Sequence, residues 1–314
     1  MRRMRARERT AHSPPGTRLE KENLMFVVKD SQKVVQSGPA TAGTPWALEN
    51  LPPFPKMATR LIQLLSKEDT DLNEIGRYIA AEPVYAARVL QMANSPLFAL
   101  QRQVKTISHA IAILGTERVK AITMTRALGD FLKPAMRVKA LRLCWLNSLA
   151  CGLLSEKIAH ACGVDADFAY TAGLLRDLGR LALLVKYPES YANLLAVSQE
   201  YSYDLLSTER DLFEIDHCEA GVFLLGNMPL PQELQEVVAR HHDETILLEP
   251  FRMVHVVRLA GRMADTLDFA VVPRLDQLEF ADVVDELPVS AQSCFTSGRD
   301  ALRADLTAKI AAWA

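Results

Sequence analysis

No stretch of this chain approaches the roughly 20 uninterrupted apolar residues that a membrane-spanning helix needs, because Arg176, Arg180 and Lys186 interrupt even the richest segment. The basic start is followed by no apolar h-region, so neither insertion nor export is expected. Cysteines in C-x-x-C spacing are also missing. Cys144, Cys151, Cys162, Cys218 and Cys294 are odd in number and scattered, which argues against a disulfide framework and for reduced, mostly buried thiols in a cytoplasmic protein. There is no excess of one charge, with 36 Lys and Arg against 38 Asp and Glu, so nothing in the balance implies nucleic acid or membrane as a partner. The sequence has no Gly-rich phosphate loop, no G-x-S-x-G elbow and no H-E-x-x-H helix, which removes the commonest nucleotide-binding, serine-hydrolase and zinc-protease signatures. What remains is a chain of 314 residues, 49% of them hydrophobic, long enough for a large core or two lobes.

Residues 1–45 differ from the rest. Arg2, Arg3, Arg5, Arg7, Arg9 and Arg18 surround Pro14-Pro15-Gly16, and Ser37 to Thr44 is small and polar. Such segments bury too little apolar area to offset the entropy of ordering, so a disordered tail is expected, with Met25 as an alternative start. From Leu51 the pattern is helix after helix. Leu51-Pro52-Pro53-Phe54-Pro55 reads as a stiff lead-in to a helix bearing Met57, Leu61, Leu64 and Leu65. Asp71 and Glu74 have capping-box spacing, Pro83 opens a helix closed by Asn94-Ser95-Pro96, and Gly115 ends the stripe that starts at Ile107. Beyond about Val138 the helices lengthen. Trp145 to Ile158 leads to Gly163, and Phe168 to Tyr187 reads as one apolar helix carrying Arg176-Asp177 in its interior. Phe213, His217, Ala220, Gly221 and Leu224 fall on one helical face, Pro231 opens a helix that reaches His241, and Leu302 to Trp313 makes a last amphipathic helix that docks or self-associates.

Three segments carry the chemistry: Gly173-Leu174-Leu175-Arg176-Asp177-Leu178-Gly179-Arg180, then Asp216-His217, then His241-His242-Asp243. Together with Leu51-Pro52-Pro53-Phe54-Pro55, Ile79-Ala80-Ala81-Glu82-Pro83 and Leu230-Pro231, they resemble in one order the bacterial HDOD domain, a relative of HD and HD-GYP phosphohydrolases. The resemblance spans about Leu51 to Asp243. It implies an all-α fold of two helical lobes, the first over about 46–137 and an HD-like second over about 138–245, with 246–314 as a C-terminal helical extension. It also implies a regulatory or output role in signal transduction rather than catalysis, and a partner that is another protein, with homodimerisation an option.

HD chemistry needs imidazole and carboxylate ligands around a divalent metal that lowers the pKa of a bound water. By the resemblance, ligand positions fall at Asn147, Arg176 and Gly261, and none of these residues can serve. A guanidinium has donors but no acceptor. Asp177, His217, His241 and His242 remain as ligand types, Arg180 stands where HD-GYP enzymes carry lysine, and no GYP signature follows it. The expected outcome is an inactive site without metal or other cofactor, its survivors forming a hydrogen-bonded cluster between helices. A reduced metal site built on Asp177, His217, His241 and His242, acting as a phosphohydrolase of cyclic nucleotides or nucleotides, is the alternative, and a ligand pocket is a third reading. Cys218 adjoins His217, but neighbours on a helix point about 100° apart and do not face each other.

Overall fold

A computed structural model describes residues 44–52, 55–65, 72–95, 103–226, 231–272 and 278–313. Among the described residues the regular structure is helical throughout, and no helix is long and apolar enough to cross a membrane. Residues 1–43, including Met25, lie outside this set, as do Pro53, Phe54, Asp71 and Pro96.

The first lobe contains α1 (Lys56–Leu65), α2 (Leu72–Ala81), α3 (Pro83–Ala93), α4 (Ile107–Leu114) and α5 (Thr116–Leu132). Their boundaries follow local chemistry. Pro83 sits in the first turn of α3, where its missing N–H is no loss. Beyond its end, Asn94 accepts from Val104 N at 2.7 Å and donates to Leu90 O and Val104 O, tying the next segment to the helix terminus. Thr106 caps α4 by accepting from His109 N, and Gly115 leaves it with φ +79°.

The second lobe is built on α6 (Lys139–Cys162), which ends at Gly163 in the left-handed conformation. Around it stand α7 (Ala166–Leu175), α8 (Leu178–Lys186), α9 (Pro188–Tyr201), α10 (Leu205–Phe213), α11 (His217–Leu225) and α12 (Gln232–Arg240). Then α13 (Met253–Ala264), almost entirely buried, runs against α6. After it come the short α14 (Phe280–Asp285) and α15 (Val289–Gln292), and finally α16 (Arg299–Trp313). The last helix docks rather than standing free: Leu302, Leu306 and Ile310 are buried, and Arg299 and Arg303 pair with Asp268 at 2.8 and 3.0 Å. One apolar core runs through both lobes, from Leu61 and Ile75 to Leu128, Leu154 and Val257.

Two helix readings need correction. Phe168 to Tyr187 is not one helix: it breaks at Arg176-Asp177, where Asp177 has φ −98° and ψ 22°. Two residues on, the backbone of α8 passes close to α11. A Cβ on Gly179 would stand 2.1 Å from the His217 carbonyl oxygen and 2.5 Å from Gly221 N, so α8 starts where its backbone can touch α11. Phe213 likewise does not share a helix with His217. It closes α10, Glu214 turns the chain with φ 60°, and Asp216 starts α11 through a reciprocal capping box with Glu219.

Candidate functional site

The α7–α8 break turns Arg176 and Asp177 inward together, onto the N-terminus of α11 and the C-terminus of α12. Asp177, 2% exposed, is the centre. Its Oδ2 lies 3.0 Å from Arg176 Nε, and its Oδ1 lies 3.3 Å from an Arg180 terminal nitrogen, 3.3 Å from His217 Nε2 and 3.4 Å from His241 Nε2. Burial raises the Asp177 pKa, but the two guanidinium groups outweigh it and hold the carboxyl well below its usual range. The compensation is by charge more than by directed bonds, since Asp177 Oδ1 and His241 Nε2 each have no hydrogen bond of good geometry.

Arg176 reaches across to α6 and α13. Its Nη2 donates to Asn147 Oδ1 at 2.7 Å, and Asn147 Nδ2 donates to Phe269 O at 2.9 Å. The guanidinium lies over Gly261, where an added Cβ would be 1.8 Å from Nη1 and 2.8 Å from Cζ. Asn147, Arg176 and Gly261 therefore form one packed unit: the arginine fills space that any side chain at 261 would need, and the asparagine accepts from it. Burial alone would lower the Arg176 pKa, but Asp177 more than offsets this and keeps the group charged.

The histidines form a second cluster. His217, fully buried, has its Nδ1 2.7 Å from Glu209 Oε2, and its backbone N donates to the same oxygen at 2.8 Å. A carboxylate accepts, so the ring proton sits on Nδ1 and Nε2 offers a lone pair to Arg180, 3.0 Å away. Burial, then Arg180, push the His217 pKa well below the usual imidazole value, so the ring is neutral. His241 closes α12 with Nδ1 donating to Val237 O at 3.0 Å, and His242 Nε2 lies 3.1 Å from His217 Nε2. The structure thus brings together all seven positions: Asn147, Arg176, Asp177, His217, His241, His242 and Gly261.

One participant escaped the sequence reading. Glu209 is completely buried and accepts from Tyr191 as well as from His217. Burial pushes its pKa up to about 7 against the pull of Arg180 and its hydrogen bonds. Glu209 stands amid Thr208, Arg210 and Asp211, so nothing local separates it from solvated neighbours.

Does a divalent metal fit here? His217, Cys218, His241 and His242 place potential ligand atoms within 4.8 Å of one another. Burial raises the Cys218 pKa, so that without a metal the group is a neutral thiol. The carboxylate that would neutralise a cation already carries two guanidinium groups. Arg180, whose Nη2 lies 3.0 Å from His217 Nε2, would at about 4 Å oppose a divalent ion by several kcal/mol even at an effective dielectric near 20. With Asn147, Arg176 and Gly261 supplying no imidazole or carboxylate, the residues present do not fit the metal.

The HDOD domain profile matches residues 51–244, and the chain belongs to the HDOD family. An uncharacterized protein of Treponema pallidum is 21% identical over 247 residues, 78% of this chain. The chain spans about half of that relative, 48% of its length. Among solved structures, an HDOD domain protein of unknown function from Geobacter sulfurreducens is 20% identical, with TM-score 0.64 over 91% of this chain and 97% of its own. A candidate signal transduction protein from Marinobacter aquaeolei is 22% identical, with TM-score 0.65 over 94% of this chain and 67% of its own. A candidate phosphohydrolase from Shewanella amazonensis is 19% identical, with TM-score 0.62 over 86% and 96%. At these identities the likeness concerns the fold. The matched range ends before α13, which nevertheless supplies Gly261 and a wall of the site.

Proposed function

We propose that this protein is a non-catalytic regulatory module that acts by binding a protein partner, its former hydrolase centre converted into an internal ion-pair cluster. The observation that carries this reading is the guanidinium of Arg176, seated over Gly261, bonded to Asn147 and paired with Asp177. It supplies permanently, from the chain itself, the positive charge that the carboxylate needs. It has no acceptor with which to bind a metal. The candidate signalling role of the Marinobacter relative is in keeping with this. The converging rings of His217, His241 and His242 favour a second reading, a metal-dependent phosphohydrolase with a reduced ligand set. Elemental mass spectrometry on full-length protein purified without chelator or affinity-column metal, paired with a cyclic dinucleotide cleavage assay, separates the two. The module predicts metal far below one equivalent, no cleavage, and an Asp177→Ala variant that is less stable. One equivalent of iron, manganese or zinc that is lost in His217→Ala, with cleavage, would establish the second reading instead.

A further inference from the structure

Of the five cysteines, all of them unpaired, three are shut away and two are not. Cys144, Cys151 and Cys218 are buried, and burial pushes their thiols up, to about 12 for Cys144 and about 11 for Cys151. Buried, protonated thiols of this kind are inert. Cys162 is half-buried and Cys294 exposed, and the fold brings these two from distant parts of the chain to one seam. Cys162 is the last residue of α6, followed by Gly163 with φ +69°. Cys294 lies in the 3₁₀ turn Ser293–Phe295 that continues α15, and α15 packs on α6. Ala291 and Phe295, four residues apart, are the buried side of that stretch, and the Phe295 ring lies 5.4 Å from Lys157 Nζ. Lys157 stands five residues before Cys162, about 7.5 Å along the helix axis. Burial raises the Cys162 pKa and the nearby Cys294 thiolate adds to the rise, so the two sulfurs are within electrostatic reach of each other at this end of the seam.

We propose that Cys162 and Cys294 form a reversible disulfide in response to hydrogen peroxide. The exposed Cys294 thiolate attacks one peroxide oxygen and the O–O bond breaks. The sulfur is left as a sulfenic acid, and the other oxygen leaves as hydroxide, which takes up the thiol proton to give water. A sulfenic acid is neutral, so the like charge that opposed ionisation of Cys162 is gone. The Cys162 sulfur then attacks Cys294 Sγ, the S–O bond breaks, and a second water departs with the Cys162 proton. The two thiols together give up two electrons and the peroxide accepts them. A thiol reductant reverses the bond by exchange, itself becoming a disulfide. The bond staples the turn after α15 to the end of α6. It closes a loop of about 130 residues, within which Arg176, Asp177, His217, His241, His242 and Gly261 all fall. Oxidant thereby becomes an input to the regulatory module proposed above; the bond itself forms whether or not that reading holds.

Mass spectrometry of full-length protein treated with hydrogen peroxide, alkylated and digested without reduction tests it. The peptide holding Cys162 should be found joined to the one holding Cys294, the intact mass should fall by about 2 Da, and dithiothreitol should undo both. Cys144, Cys151 and Cys218 should remain thiols. In Cys162→Ser the reaction should stop at a sulfenic acid on Cys294, trapped by dimedone. Because that serine replaces a half-buried side chain, Cys294→Ser, at an exposed position, gives a second check. Peroxide should raise the wild-type midpoint temperature by about 5 °C or more and leave that of Cys294→Ser unchanged. Cys294 bonded only to a second copy of the chain, Cys162 still a free thiol after Cys294 has been oxidised, or the same midpoint shift in Cys294→Ser overturns the proposal. None of these outcomes bears on metal content or cleavage, so the reading of the Arg176 centre stands or falls separately.

Discussion

Replacing Gly261 with alanine adds one methyl group in a place the arginine already occupies. The new Cβ would stand 1.8 Å from Arg176 Nη1 and 3.2 Å from Nη2, so the guanidinium must swing away. In doing so it gives up the 2.7 Å bond to Asn147 and the 3.0 Å contact with Asp177. Charged hydrogen bonds contribute about 1.5–3 kcal/mol each, and complete removal of one partner of a buried ion pair costs about 3–5 kcal/mol. The arginine is displaced, not deleted, and Arg180 still holds Asp177, so Gly261→Ala should cost about 2–4 kcal/mol. Arg176→Ala alone should cost about 3–5 kcal/mol. The decisive quantity is the coupling. In an Arg176→Ala background the added methyl meets empty space, so the double variant should be no less stable than Arg176→Ala by itself. Urea unfolding of the four proteins, followed by far-UV circular dichroism, gives the cycle. Equal costs of Gly261→Ala in both backgrounds would refute the view that positions 176 and 261 form one unit.

Two further outcomes follow from the same structure. Glu209, with folded pKa raised to about 7, contributes stability that is present below its unfolded value of 4.5 and lost as pH rises through 7. His217 acts oppositely: its depressed pKa gives stability that is present above the unfolded value of 6.5 and lost as pH falls. The two slopes offset in the wild type, so Glu209→Gln should leave the histidine slope bare, with midpoint temperature dropping on acidification from pH 7 to 5.5 and a scan across that range as the check. A chain ending at residue 244, where the family match stops, loses α13 and with it the buried face along α6; circular dichroism should find it without a cooperative thermal transition.

Much of this fold was legible because punctuation and periodicity agree. Pro83, Gly115 and Gly163 bound their helices as local chemistry dictates, and the Trp145 to Ile158 stripe is buried as its spacing implies. The break at Arg176-Asp177 was not legible. Beside it Gly179 lets α8 pass close to the His217 carbonyl, a meeting of segments far apart in sequence that leaves no mark on the apolar pattern of Phe168 to Tyr187. The motif residues were individually visible, but the dependence of Gly261 on Arg176 was not. A glycine inside a helix looks the same whether it permits a bend or makes room for a guanidinium. Glu209 was hidden for the related reason that its burial comes from α9 and α11, not from its own neighbours.

The arginine over Gly261 also changes what the protein can respond to. A cation that arrives from solution ties folding to its own concentration, through the mass-action gain that any native-state ligand provides. Here the cation is covalently attached and cannot be diluted, chelated or exchanged. If the proposed non-catalytic reading holds, the folded population of this lobe should stay constant through metal starvation or excess, whatever other input the protein answers to.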